Sequence, residues 1–383
     1  MASATTLRRR LVRQLEEKEL LRDRRVRQAF LEVPREQFVS TYAERHGLEA
    51  VYRDAAIVTK QTEAGQGLSS SSQPAIMAEM LDELRLEPGQ RVLEIGAGTG
   101  YNAALLAHVV GDRGRVVSVE LDPDTASGAR RALQGTGVEV VHGDGRDGHV
   151  AGAPYDRVVA TASADAIPRA WLEQLAPGGL LEVPLRLRAS SGLQLIPTLR
   201  RDNGRFRSVS VIVGGFMPLR SSPEDREPYW PMLNVSLSAG ADRTMLFSLS
   251  GESLRGLSDG ALRKLLRAIS SVPTTRRLGV RADTKSLALY VTVCGPARRI
   301  VGAFDGRSYC GGLVGRRHSG VALLDRWPST TRMLVYGDGE AADELTGLVE
   351  EWSARGRPTE SDLELAVRFD GDRSRLRTSW RGH

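Results

Sequence analysis

Val92-Leu93-Glu94-Ile95-Gly96-Ala97-Gly98-Thr99-Gly100-Tyr101-Asn102 decides the fold of this chain. Its apolar first half reads as a buried strand, and it ends in three glycines at alternate positions. A helical pattern follows at once through Ala103, Leu105, Leu106 and Val109. Strand, glycine turn and helix in that order let a backbone approach a ligand closely, because no Cβ intervenes. A second strand, Val116-Val117-Ser118-Val119, comes one helix later and ends in Glu120. An acid at that strand tip is placed to hold the two hydroxyls of a ribose.

The spacing argues against a dinucleotide. That fingerprint runs G-x-G-x-x-G and seats a pyrophosphate on the helix N-terminus. Here Glu94 stands two residues before Gly96, with Gly98 and Gly100 following at the same spacing. A carboxylate there repels a pyrophosphate and suits the ammonium and sulfonium of S-adenosyl-L-methionine, with S-adenosyl-L-homocysteine as product. Asn102 and Leu121 flank the same turn and strand tip. A third strand, Val138 to Val141, leads into Gly143-Asp144-Gly145. Asp144 is placed to accept from an adenine amino group, with a plain turn aspartate as the alternative. The expected cofactor residues are therefore Glu94, Gly96, Gly98, Gly100, Asn102, Glu120, Leu121, Asp144 and Gly145.

From about Arg24 to Leu185 the chain resembles the protein-L-isoaspartate O-methyltransferases. The resemblance rests on Val33-Pro34-Arg35-Glu36-Gln37-Phe38-Val39, Ser72-Gln73-Pro74, the glycine turn, Gly143-Asp144-Gly145, and Leu175-Ala176-Pro177-Gly178-Gly179 through Pro184. Many methyltransferases share the glycine turn, whereas the first two segments are far more specific. The resemblance implies that Ser72 sits beside the methyl group and holds a substrate carboxylate. Capping of the helix that Pro74 opens is a second role for Ser72. Ser70, Ser71, Gln73, Thr59 and Lys60 are the further expected substrate contacts.

The chain also departs from the family pattern. Ser69-Ser70-Ser71-Ser72 stands where the family usually has Thr and an aliphatic residue before Ser-Gln-Pro, and Ala75 replaces a larger side chain. With the extra C-terminal residues, this looks like the extended branch that modifies ribosomally made peptides such as lanthipeptides, lasso peptides and graspetides. The reading favoured here is esterification of an aspartyl side chain in such a constrained peptide, leading to aspartimide or isoaspartate. Repair of isoaspartyl residues in proteins is the alternative. A non-catalytic peptide-binding protein and an RNA methyltransferase are the other classes left open.

At 383 residues there is room for two domains with their own cores. The expected division is a catalytic domain over 1–220 with an N-terminal helical segment, a linker over 221–228, and an accessory, peptide-binding domain over 229–383. The fold class is α/β, a Rossmann-like doubly wound methyltransferase core followed by a second α+β domain. In the second domain, Leu233 to Leu237 and Met245 to Leu249 alternate like a hairpin, and Leu257 to Ile269 and Glu340 to Ala354 read as helices. Leu287 to Val293 reads as a strand, and Glu364 to Phe369 as the strand closing that sheet. Residues 5–31 read as amphipathic helix.

The formal charge of +6 invites a nucleic-acid partner. Only Lys18, Lys60, Lys264 and Lys285 are lysines, the arginines are scattered, and no basic stripe is interleaved with stacking aromatics. A peptide partner is expected instead, with no nucleic acid, no membrane and no metal. No apolar run approaches the roughly 18 residues that span a bilayer. Arg8-Arg9-Arg10 lacks the apolar stretch of a signal peptide, so a cytoplasmic location is expected, with Cys294 and Cys310 reduced and buried. Oligomeric state is left open between monomer and homo-oligomer.

Overall fold

The computed structural model describes all residues except 1, 64, 66, 187–193, 203–204, 223–231, 239–243, 255, 297–298, 305–307, 325–328, 372 and 383. The chain forms two compact units. The first comprises Met1–Leu185, Ile196–Glu227 and Leu365–Arg377; the second comprises Arg186–Leu195, Pro228–Glu364 and Thr378–His383.

The first unit opens with α1 (Ala4–Glu17) and α2 (Arg24–Glu32), then the short turns α3 (Arg35–Phe38), α4 (Ser40–His46) and α5 (Leu48–Val51). The helix expected over residues 5–31 is thus two helices. Glu19 adopts φ +58, and Asp23 starts α2 by accepting a hydrogen bond from the Arg25 amide. Next come a hairpin of β1 (Ile57–Gln61) and β2 (Gly67–Ser71), then α6 (Pro74–Glu83).

Alternating elements follow: β3 (Arg91–Ile95), α7 (Tyr101–Val110), β4 (Arg115–Glu120), α8 (Pro123–Ala132), β5 (Glu139–His142), β6 (Tyr155–Ala160), α9 (Arg169–Glu173) and β7 (Leu175–Glu182). β8 (Gln194–Asp202) and β9 (Arg205–Gly214) complete the expected run. β3 pairs in parallel with β4 on one side and β6 on the other, and β4–β5 and β6–β7 are parallel too. Strand order therefore reverses at β3, and the carboxyl ends of β3 and β6 border the crevice where open α/β sheets bind ligands. Successive residues of one strand enter different cores. Val92 and Val116 join Leu11, Phe30, Leu81 and Leu105, whereas Leu93 and Val117 join Val158, Trp171 and Leu181. Both faces of the sheet are covered, which is why its strands read as continuous apolar runs.

The second unit holds β10 (Met232–Ser238), β11 (Thr244–Ser250), α10 (Asp259–Ile269), β12 (Thr274–Asp283), α11 (Thr284–Cys294), β13 (Arg299–Phe304), β14 (Ser308–Val314), β15 (Gly320–Leu324), β16 (Ser329–Gly337) and α12 (Glu340–Ala354). Its seven strands run in the order β10-β11-β13-β14-β15-β16-β12 and pair antiparallel. The hairpin expected around residues 233–249 is β10–β11.

Two expectations fail here. The strand expected over Leu287–Val293 is helix α11. A short apolar run buried on most sides does not distinguish strand from helix by periodicity, and the deciding signal is Asp283, whose carboxylate accepts from the Lys285 and Ser286 amides at 3.3 and 2.9 Å. Asp283→Ala should lower the stability of this unit by about 1 kcal/mol, read as a shift of its urea midpoint; an unchanged midpoint would deny the cap its role. The second failure is β17 (Leu363–Asp370). With β18 (Arg373–Trp380) it extends the first sheet, whose order is β18-β17-β9-β8-β7-β6-β3-β4-β5. Ala366 and Val367 pair with Arg207 and Phe206 of β9, and the Leu365 amide donates to Ser208 Oγ at 2.9 Å. Residues 229–383 therefore do not form one continuous second domain: the chain returns to the first. Most of the expected linker, 223–228, lies outside the described residues. Cys294 is exposed and unpaired, not buried; the side chain of Cys310 lies outside the described ones.

Candidate cofactor and substrate cavity

A cavity of about 450 Å³ opens where β3, β4 and β6 end, within the usual range for small-molecule sites. One wall is the glycine turn and the tip of β4, contributing Gly96, Gly98, Asn102, Glu120 and Leu121. The opposite wall is the Ser69–Gln73 stretch. All three turn glycines lie in the left-handed region, at φ +98, +52 and +88 for Gly96, Gly98 and Gly100. A Cβ on Gly96 would stand 2.7 Å from Thr161 Oγ1, and one on Gly98 would stand 3.1 Å from the Ser70 carbonyl oxygen. Gly100 is different: it caps α7, packs toward Leu133 and Phe38, and does not line the cavity. The third glycine therefore serves the turn.

Glu120 is mostly buried, and it braces the turn as well as bordering the cavity. Its Oε2 accepts from the Gly98 amide at 2.9 Å and its Oε1 from the Asp122 amide at 3.1 Å. Each oxygen keeps a lone pair for a ribose hydroxyl. Gly145 lines the cavity and its carbonyl accepts from the Trp171 indole at 2.7 Å.

Glu94 is not at the cavity surface. It is fully buried beneath the turn, where its carboxylate accepts from Asn102 Nδ2 at 2.8 Å and from the Ser118 hydroxyl. Burial pushes its pKa up to about 7 against those two donors. Glu94 therefore reaches the cavity only through Asn102, which lines it and which Glu94 holds. Asp144 likewise stays out of the lining. It caps the turn through the Arg146 amide at 2.9 Å and pairs with the Arg146 guanidinium, which holds its carboxyl below the usual range. These are the contacts of a turn aspartate.

On the substrate side, Ser70, Ser71, Ser72 and Gln73 all border the cavity. Ser72 does not cap α6: the N-cap is Gln73 without a side-chain bond, and Asp54 Oδ1 accepts from the Ala75 amide at 2.9 Å instead. The Ser72 hydroxyl makes no hydrogen bond among the described residues. Ser71 is buried and turned toward Arg35. Thr59 and Lys60 are not part of this cavity. Lys60 Nζ instead grips Asp122 at 2.7 and 2.8 Å, tying the hairpin to the end of β4. Burial alone would raise the Asp122 carboxyl, but Lys60 and Thr125 hold it at about 2.

The sequence reading missed two groups. Thr161 closes on the glycine turn, its hydroxyl donating to the Gly96 carbonyl at 2.6 Å. The segment Val213–Arg220, from the end of β9 onward, forms a further wall, with Phe216 and Met217 on it. Its one sequence signal is Gly214-Gly215 at a strand end. Arg35, quoted above only as part of a signature, is fully buried and donates to the carbonyls of Val51 and Ser72.

Comparison with known proteins agrees with this geometry. The family model described as protein-L-isoaspartate(D-aspartate) O-methyltransferase matches residues 6–223. A Thermotoga maritima protein-L-isoaspartate O-methyltransferase is 41% identical over 349 residues, covering 90% of this chain and 92% of that protein. One from Methanopyrus kandleri is 38% identical over 227 residues, 58% of this chain and 94% of that protein. A solved protein-L-isoaspartate O-methyltransferase superposes with a TM-score of 0.53 at 25% identity, covering 97% of this chain and 99% of that one. Fold and cavity define an S-adenosylmethionine-dependent methyltransferase. Within that class the chain belongs to the protein-L-isoaspartate O-methyltransferase family, and it is an enzyme that methylates carboxyl groups of proteins or peptides.

Proposed function

We propose that this enzyme methylates the carboxyl group of isoaspartyl residues in proteins and peptides. The carrying observation is the Thermotoga maritima relative. Its match extends over 90% of this chain, well past residue 228, and the protein bears the plain isoaspartyl name. The extra C-terminal residues are one of the grounds, beside the serine run, for preferring a constrained precursor peptide, and they do not distinguish that reading from repair. The isoaspartyl reading therefore replaces it.

S-adenosylmethionine, when bound, supplies a methyl group already activated on a sulfonium. The cavity fits it: Gly98 leaves the space a side chain would fill, and Glu120 presents lone pairs at the strand tip. The substrate carboxylate, with an unperturbed pKa near 4, is ionised at neutral pH and needs no enzymic base. Transfer of that methyl to the carboxylate oxygen, with loss of its bond to sulfur, would require no proton to be moved by the enzyme. The residues here then have to position and to exclude water, so catalysis is mainly orientation. Ser72 donates its hydroxyl to the substrate carboxylate. After release, the following backbone nitrogen attacks the ester carbonyl, methanol leaves, and opening of the ring by water returns part of the residue to normal aspartate.

The test is mass spectrometry of matched peptides bearing isoaspartate or aspartate at one position, plus a macrocyclised peptide bearing aspartate. The isoaspartyl peptide should gain one methyl and then lose methanol, and the linear aspartyl peptide should stay unchanged. Methylation confined to the macrocyclic peptide would restore the tailoring reading. Ser72→Ala should lower kcat roughly 10- to 100-fold, the value of one hydrogen bond to a charged group at 1.5–3 kcal/mol, with cofactor affinity unchanged by calorimetry. Wild-type kcat in Ser72→Ala would remove Ser72 from the substrate site.

A further inference from the structure

Arg35 has no exposed surface, yet no carboxylate of the described residues pairs with it within ion-pair distance. Its donors go to backbone instead. Nη1 reaches the Val51 and Arg53 carbonyls at 2.9 and 3.2 Å, and Nη2 reaches Ala55 at 3.1 Å and Ser72 at 2.9 Å. Ser71 accepts more distantly, at 3.4 to 3.5 Å. The guanidinium also lies over the Tyr101 ring, 5.9 Å from its centroid, and Tyr101 is the first residue of α7 behind the glycine turn. A buried charge held by dipoles alone is costly, and a planar fork with five donors is the side chain able to satisfy so many carbonyls at once.

The carbonyls come from two segments only, 51–55 and 71–72. The same 51–55 segment holds the other side of Ser72, since Asp54 caps the Ala75 amide at 2.9 Å and the Asp54 carbonyl accepts from Gln73 Nε2 at 3.4 Å. Lys18 in turn fixes Asp54 at 2.8 Å. Arg35 ties the Ser72 carbonyl itself and, at longer distance, Ser71 before it, while Asp54 holds Gln73 and Ala75 after it.

We infer that Arg35 is a positioning residue for methyl transfer: it fixes the backbone that carries Ser72 opposite the glycine turn, without touching substrate or cofactor. The inference rests on the function proposed above. In-line transfer tolerates little misplacement, and about 1 Å of error costs on the order of 100-fold in rate. Lysine keeps the charge but has three donors on one nitrogen and cannot bridge the two segments.

The experiment compares wild type, Arg35→Lys and Arg35→Met in three measurements: S-adenosylhomocysteine affinity by calorimetry, kcat and KM on an isoaspartyl peptide, and amide hydrogen exchange. Arg35→Lys should keep cofactor affinity within about threefold while kcat falls roughly 10- to 100-fold, and exchange should rise together in 51–55 and 71–73. Millimolar methylguanidinium should partly restore kcat in Arg35→Met and leave wild type unaffected. Equal loss of cofactor affinity and kcat, tracking a fall in melting temperature, would make Arg35 a folding residue only and overturn the inference; so would wild-type kcat. Where the variants do not fold, exchange in wild type still decides: the two segments should open as one unit, and exchange of 51–55 far faster than 71–73 sinks the idea. Wild type that ignores isoaspartyl peptides removes the substrate reading, while the exchange data still decide the role of Arg35.

Discussion

Gly98→Val should abolish measurable S-adenosylhomocysteine binding, a loss of at least 100-fold, in a protein that still folds. Two costs combine. At φ +52 any L-residue carries roughly 1–2 kcal/mol of left-handed strain, and a β-branched one more. The added Cβ would also start 3.1 Å from the Ser70 carbonyl, and its methyls would enter the space between the glycine turn and the serine strand. The Gly98 amide is the group that Glu120 holds at 2.9 Å, so displacement of the turn also moves the carboxylate proposed for the ribose. Glu120→Ala should be milder, weakening binding by roughly 1–3 kcal/mol for a lost acceptor. Calorimetry and thermal melts separate the effects: Gly98→Val should melt within a few degrees of wild type but release no heat of binding. Affinity within threefold of wild type would show that the ligand lies elsewhere.

What the sequence made legible follows physical range. The Rossmann-like core was readable because its signals are local: an apolar run, glycines where φ must be positive, and an acid at or near the ends of β3, β4 and β5. The order Gly96, Gly98, Glu120, Gly145 around one cavity is the consequence of parallel strands ending on one edge. Side-chain direction was not legible. Glu94 and Asp144 carry the right chemistry at strand ends, but Ser118, Asn102 and Arg146 capture them, and those partners are set by packing. Lys60 was lost to Asp122, 62 residues away, for the same reason. The second unit was read least well because its elements depend on non-local pairing. α11 is an apolar run that an aspartate cap turns into helix, and β17 looked like the end of one sheet while it belongs to another. A consequence for experiment follows: truncation after Pro228 would also strip β17 from β9, so it cannot isolate the role of the second unit. Whether that unit holds peptide is better tested by substitutions within residues 228–364.

Glu94→Gln should stabilise the ligand-free protein above neutral pH and flatten its stability between about pH 4.5 and 7. The carboxyl's ordinary value is 4.5, and burial raises it to about 7 in the fold. Between those values the native state therefore binds more proton than the unfolded chain, and stability falls as pH rises. The cost is complete above pH 7 and amounts to on the order of 3 kcal/mol at about 1.4 kcal/mol per pH unit. Glutamine removes that cost while keeping an acceptor for Asn102, and its amide can donate to the Ser118 hydroxyl oxygen. A cationic ligand on the far side of Asn102 favours the ionised carboxylate, so in wild type cofactor binding should release protons near pH 6, and in Glu94→Gln it should not. The comparison is urea unfolding from pH 5 to 8 together with calorimetry in two buffers of different ionisation enthalpy. Parallel stability curves for the two proteins would show that Glu94 is ionised throughout, and equal proton release would place the coupled group elsewhere. If both effects appear, the acid before the glycine turn acts as a buried charge reserve, sensed by the ligand through Asn102 rather than by contact.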